Sequence, residues 1–233
     1  MEAVNSILSE SCKIYQDTCI RNSRIGDGAV ISDRAVVLSS EIGEKVEIGR
    51  DCSVIYSSLG FGSYLGKSSV MKFTRAGKFC DFSWQLSIGG SNHNYRAACM
   101  YTDTWWKKTL GVGEGFAPVG EEEYTRIGSD VWLGAKVNIV RGIRIGDGAV
   151  VGANSLVLED IPPYAIAVGT PAKVIKYRFD EATIARLLKI RWWDWDVESI
   201  RAAADYLRGD LNEEKLRALE AIAEKHAGRG ENP

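Results

Sequence analysis

The sequence nowhere approaches the roughly 20 consecutive apolar residues that a membrane-spanning helix needs. Its opening stretch, Met1 to Tyr15, has no basic start followed by an apolar run, so no signal peptide is expected. Cysteines number five (Cys12, Cys19, Cys52, Cys80 and Cys99), with no C-x-x-C spacing among them. That odd set fits reduced thiols in a cytoplasmic protein better than a disulfide framework. Histidine is scarcer still, with His93 and His226 the whole supply. Two imidazoles are too few for a zinc site that needs three on adjacent segments, and no metal is expected. An excess of either charge is missing too: 29 Lys and Arg stand against 31 Asp and Glu, for a formal net charge of −2. That balance points to no nucleic-acid and no membrane partner. What remains is ordinary, 45% hydrophobic and 26% charged over 233 residues, enough chain to bury a core.

What the sequence does have is a period of six. From Ile127 it reads IGSDVW, LGAKVN, IVRGIR, IGDGAV, VGANSL and VLEDIP. An aliphatic residue returns at Ile127, Leu133, Ile139, Ile145, Val151 and Val157, and the next residue is usually Gly. A small or β-branched residue follows four positions later at Val131, Val137, Ala149 and Ser155. The same hexad occurs earlier, from Ile25, Ile42, Ile48 and Leu65, and in AGKFCD, FSWQLS and IGGSNH from Ala76 to His93. Six suits neither an amphipathic helix nor an alternating strand. It suits a short strand plus a tight corner, three of which close a triangular coil with the aliphatic residue inward. Gly or Asn is expected at the corners, where φ > 0 is tolerated. Stacked coils then bury one continuous apolar column. A chance run of Gly-punctuated strands is a poor account of six hexads in succession.

The repeat breaks in informative places. Between Ile31 and Ile42, at Val54–Leu59 and at Met71–Ala76 the phase slips by a residue, which suggests bulges or short corner insertions. Between Asn94 and Arg126 it disappears, giving way to NYRAACMYTDTWWKKTLGVGEGFAPVGEEEYTR. A long excursion inside a compact domain is usually functional, and this one leaves directly after His93. The expected organisation is a β-helix over residues 1–178, with an excursion loop at 94–126, and a helical segment over 179–233. Asp180 and Asp196 are candidate helix caps, and a last helix from about Asn212 carries Leu216, Leu219 and Ile222. These helices are expected to pack on the end of the β-helix or on a neighbouring subunit.

The run IGSDVWLGAKVNIVRGIRIGDGAVVGANSLVLEDIPPYAIAVGTPAKVI, from Ile127 to Ile175, resembles the hexapeptide-repeat acyltransferases. Its continuation, YRFDEATIARLLKIRWWDWDVESI, is similar to a narrower branch, the xenobiotic acetyltransferases. That branch includes streptogramin A acetyltransferases and hexapeptide-type chloramphenicol acetyltransferases. The resemblance runs from about Leu65 to Leu207. It implies a left-handed parallel β-helix and acetyl-coenzyme A as co-substrate. It also implies a homotrimer whose active sites lie between subunits, and a His at the start of the excursion that deprotonates a small-molecule acceptor.

His93 matches that histidine, and an imidazole has the right pKa to take a proton near neutral pH. Asn92 either orients the acceptor or the ring, or simply turns a corner. By the same resemblance Trp132, Gly134 and Ala135 on one coil, and Gly152 and Ala153 on the next, are assigned to a slot for the pantetheine arm. Thr170, Pro171 and Ala172 continue it. Lys173, Lys176 and Arg178 form a cationic cluster with no acid nearby in sequence until Asp180, suited to phosphates or equally to a solvated face. Tyr101, Trp105 and Trp106 offer an apolar wall for the acceptor or an anchor on a neighbouring subunit. Trp192, Trp193 and Trp195 read as packing for the C-terminal helices.

Two departures leave the acceptor open. The antibiotic-acetylating members usually carry a Tyr/Phe-Pro-Phe element shortly after the His, where this chain has YTDTWW, and the N-terminal hexads are unusually regular. An antibiotic and a sugar or nucleotide amino sugar therefore both stand as acceptors, and a non-catalytic β-helix scaffold stands as the alternative of another class.

Overall fold

The computed structural model describes residues 2–90, 93, 96, 98, 99, 103–113 and 119–229. The chain divides into two compact units, Met1–Lys176 and Tyr177–Pro233. In the first unit each hexad supplies a strand of two or three residues and a corner. The aliphatic residue that opens the hexad is buried and its predecessor exposed: Glu41 out and Ile42 in, Arg144 out and Ile145 in. The strands form three parallel sheets of eight, seven and nine strands. Like stacks on like, with Ile31 paired to Ile48, Val54 to Met71 and Leu65 to Phe82. The inward residues make one apolar cluster from Ile20 to Ala172, each buried aliphatic contributing about 1.5–3 kcal/mol. This is a left-handed parallel β-helix.

The corners differ from the expectation of Gly or Asn. Most left-handed corner residues are neither: Arg34, Lys45, Asp51, Ser68, Gln85, Asp130 and Lys136 all have φ between 57° and 60°. Each of these amides donates to a carbonyl of the preceding coil, as Lys45 does to Asp27 at 2.8 Å and Ser68 to Arg50 at 2.8 Å. That bond offsets the roughly 1–2 kcal/mol cost of the left-handed region. The Gly that follows the aliphatic residue serves another purpose. A Cβ on Gly66 would lie 2.5 Å from the Ser83 carbonyl, so glycine there lets the coils approach.

The phase slips are shortenings rather than insertions. The corner from the first sheet to the second holds one residue fewer, and it is closed by a column of buried hydroxyls. The Ser40 amide donates to Ser23 Oγ at 3.2 Å, Ser57 to Ser40 Oγ at 3.1 Å and Thr74 to Ser57 Oγ at 3.1 Å, each 17 residues apart. Each hydroxyl in turn donates to the carbonyl two residues before it, at 2.7–2.8 Å.

The excursion leaves the first sheet after Ser87–Ile88 and rejoins the second at Thr125–Ile127, which pairs with Thr74–Ala76. It therefore opens from this same short corner. The register is already restored at Thr125, slightly earlier than the sequence suggests. Within the loop, Asp103–Trp105 is one α-helical turn, Trp106–Leu110 a π-helical turn ended by Gly111 at φ 70°, and Glu121–Glu123 a 3-10 turn.

In the second unit Asp180 caps Glu181–Ile190 by accepting from the Thr183 amide at 2.8 Å. Asp196 caps Val197–Leu207 through Ser199 at 2.8 Å, and Asn212 accepts from Lys215 ahead of Glu213–Arg229. Trp193, Trp195, Leu216 and Leu219 are buried, and Arg186 forks to Glu213 and Glu220.

The hydroxyl column yields a stability prediction. Ser57→Ala strands the fully buried Thr74 amide and is expected to cost about 1–3 kcal/mol. Urea unfolding measures it, and a loss below about 0.5 kcal/mol, the range of an ordinary surface change, would contradict the role given to the column.

Candidate active site

His93 is exposed and lies three residues beyond Gly90, where the excursion leaves the coil. Local geometry dictates the departure. Gly89 sits at φ 69°, and a Cβ there would come within 1.9 Å of the Lys72 carbonyl oxygen, so only glycine makes this turn. The Gly90 carbonyl accepts a hydrogen bond from Arg141 Nε at 3.1 Å. Arg141 stands in the corner that follows Asn138–Ile139, and its side chain is 8% exposed. The same guanidinium lies 3.6 Å from the Glu123 carboxylate at the loop's return and 4.8 Å above the Phe73 ring. Phe73 stacks face to face on Tyr56 at 5.3 Å and meets the edge of Tyr124 at 5.8 Å. Glu121 completes the return by bonding Arg75 and lying 3.9 Å from Arg126. The sequence reading missed Arg141, because a corner arginine in IVRGIR looks like any solvated cation. Writing the coils out in register brings it close to Phe73, and there its signal lay.

The residues assigned to the donor slot gather at another corner, between the third sheet and the first. Gly134 and Ala153 face each other across coils, a Gly134 Cβ lying 2.6 Å from the Ala153 amide nitrogen. The Asn154 amide donates to the Ala135 carbonyl at 2.9 Å, the Gly152 amide to Ala167 at 2.9 Å, and Thr170 Oγ1 to the Asn154 carbonyl at 3.1 Å. Gly134, Ala135, Gly152, Ala153 and Thr170 thus line up along one edge, with Pro171 following in a cis peptide bond. Gly134 itself is buried, so close coil approach accounts for it, while Ala153, Thr170 and Pro171 are exposed. Trp132 is 51% exposed on the third sheet, between Asp81 and Val150. Two assignments need correction. Ala172 is an inward residue of the terminal strand, 7% exposed and part of the core, so its side chain faces the core and only its backbone is left for a slot. Lys173 is not remote from acids, since its Nζ pairs with Glu159 at 3.0 Å. Lys176 is exposed, as is Arg178, which lies 5.5 Å from the Phe179 ring.

Within one chain, therefore, the foot of the excursion at Gly90 and the slot occupy different corners, with the first sheet between them. Trp105 and Trp106 meet edge to face at 5.3 Å within the loop, whereas Asn92 and Tyr101 lie outside the described residues. Among the described residues no group of three His, Cys, Asp or Glu side chains is placed to hold a metal ion.

The buried thiols offer no nucleophile. Burial pushes Cys52 up to about 11 and Cys80 up to about 12, and Cys80 Sγ donates to the Gly128 carbonyl at 3.2 Å. Only the thiolate is nucleophilic.

Residues 124–159 match the bacterial transferase hexapeptide family (six repeats). Over 134 residues the chain is 51% identical to a chloramphenicol acetyltransferase of Escherichia coli, covering 56% of this chain and 64% of that one. It is 49% identical over 92 residues to a chloramphenicol acetyltransferase of Agrobacterium fabrum, covering 40% and 43%. A probable macrolide acetyltransferase of Lysinibacillus sphaericus is 37% identical over 146 residues, covering 60% of this chain and 79% of its own length. The matches to the two chloramphenicol acetyltransferases thus span less than two thirds of those proteins.

The buried thiols predict a pH dependence. The unfolded chain loses these protons near the ordinary thiol value of 9.0, while the folded chain keeps them to about 11 and about 12. Stability from these groups is complete below pH 9 and falls as pH rises through that window. Cys52 and Cys80 are also expected to resist a thiol reagent near neutral pH until the protein is unfolded. Rapid labelling of both in the native protein would contradict their burial.

Proposed function

We propose a reaction from one premise: this chain belongs to the hexapeptide-repeat acyltransferases, in their xenobiotic acetyltransferase branch. The protein is an acetyl-coenzyme A-dependent acetyltransferase of a small acceptor, with an antibiotic as the first class to test. The observation that carries this reading is the placement of His93. It is the one histidine of the coil unit, exposed at the foot of the excursion, on a turn that Gly89 makes and Arg141 fastens.

His93 accepts the proton of an acceptor hydroxyl or amine as that group attacks the thioester carbonyl. The new C–O or C–N bond gives a tetrahedral intermediate. Its collapse breaks the C–S bond and releases coenzyme A as the thiol once protonated. Backbone N–H groups are suited to the oxyanion, where preorganised donors stabilise developing charge. No acyl-enzyme is required, in keeping with the protonated state of Cys52 and Cys80. Ala153, Thr170 and Pro171 line the edge along which the pantetheine arm lies, with Lys176 suited to the phosphates. The foot of the excursion and this edge lie at different corners of the β-helix, which supports a complete site formed between neighbouring copies in a homotrimer. Free thiols at Cys12, Cys19, Cys52, Cys80 and Cys99 support a reducing compartment such as the cytoplasm.

The test is release of free coenzyme A thiol from acetyl-coenzyme A, over chloramphenicol, streptogramin A, macrolides, nucleotide amino sugars and simple sugars. His93→Ala is expected to lower turnover by about 10²–10⁴-fold, the range for losing a general base. Turnover with an amino sugar alone would keep the mechanism and move the acceptor class. Failure to bind coenzyme A at all would overturn the enzyme reading in favour of a scaffold.

A further inference from the structure

The excursion is fastened at its two ends by one side chain, and that side chain was built into the coil rather than into the loop. Arg141 reaches the exit through the Gly90 carbonyl at 3.1 Å and the return through Glu123 at 3.6 Å. Its guanidinium rests 4.8 Å above Phe73, a ring 2% exposed. An arginine with 8% side-chain exposure gives up most of its hydration, so each of these contacts offsets a desolvation cost. A charge-assisted bond to a carbonyl, an ion pair and a cation–π contact are the three interactions that suit a guanidinium, and a planar fork makes all three at once. None of the three is needed to close the coil, whose neighbouring amides already pair, Gly89 with the Ile139 carbonyl at 3.0 Å and Thr125 with Phe73 at 2.9 Å.

His93 lies three positions beyond Gly90, a reach of at most about 10 Å. We propose that Arg141 is a positioning residue for His93. By holding the Gly90 carbonyl and the Glu123 carboxylate together, it fixes the anchor from which the imidazole is presented to the acceptor. Arg141 touches neither acceptor nor donor in this account. It acts by narrowing the range of places His93 can occupy. The inference rests on the reading of His93 as the base.

A cycle of variants tests it, in the full-length enzyme with the acceptor that supports turnover and saturating acetyl-coenzyme A. Arg141→Ala is expected to lower kcat by about 10²-fold, the scale of a misplaced catalytic group. The KM for acetyl-coenzyme A should stay within about twofold, and in the His93→Ala background the same change should have no further effect beyond about twofold. Arg141→Lys keeps the charge without the fork and is expected to lose about tenfold. Glu123→Gln releases the return end from a carboxylate that is half exposed and should lower kcat in the same direction. These two variants carry the cycle if Arg141→Ala does not fold. Equal losses in the presence and absence of His93 would overturn the positioning role and leave only a general structural one. Unchanged kcat in Arg141→Ala would overturn it as well. Full turnover in His93→Ala is a different result: it removes the base itself and with it the ground for this inference.

Discussion

Hydrogen bonding from coil to coil in parallel register sets almost everything else in the first unit. Each strand up to Leu156–Val157 has only two or three residues, too few to hold a strand by side chains alone, so each coil takes its position from the coil beside it. Columns follow from that constraint. One column is the apolar interior, another the line of glycines that let corners approach, a third the left-handed residues whose amides reach the preceding coil. Residues such as Arg34 and Asp51 tolerate a left-handed backbone because the register supplies a hydrogen-bond acceptor at the right place.

The functional geometry grows from a local exception to that regularity. The short corner replaces a residue with stacked hydroxyls, and the excursion opens from this corner after Thr74, where the column of donated bonds meets the turn at Gly89. A rigid coil can extend a long loop without losing register because the strand that follows the insertion, Thr125–Ile127, still pairs directly with Thr74–Ala76 of the coil before it. The loop's ends are then tied by Glu121 to Arg75 and by Arg141 to Gly90 and Glu123. Loops that carry chemistry on a rigid scaffold are common for this physical reason: the scaffold supplies position and the loop supplies contact.

The hexads made the coil legible because each one repeats the same burial problem, and a repeated solution is visible without coordinates. The aliphatic positions from Ile25 to Val157 were read correctly for that reason, as were the caps Asp180 and Asp196, whose side chains act on amides three residues away. Errors arose where a residue's role depends on another coil. The neighbours of Ala172 in sequence suggest a side chain toward a slot, yet the alternation of the last strand turns that side chain inward. Lys173 looked free of acids in sequence, while the preceding coil brings Glu159 to it. Arg141 was overlooked because its partners are 51 residues back at Gly90 and in the loop's return. His93 stands out as a candidate because histidine is rare here and because the repeat breaks directly after it.

The central proposal is that the base His93 and the donor slot make a site only when two copies meet. Mixing two inactive variants tests it most directly. One carries His93→Ala, and the other Ala153→Trp, which fills the slot at an exposed position. In a closed ring of three, each interface draws the base from one copy and the slot from the next, so equal co-expression should restore about a quarter of wild-type activity. If base and slot belong to the same chain, every site in the mixture keeps one lesion, and activity no higher than that of either variant alone would contradict the account.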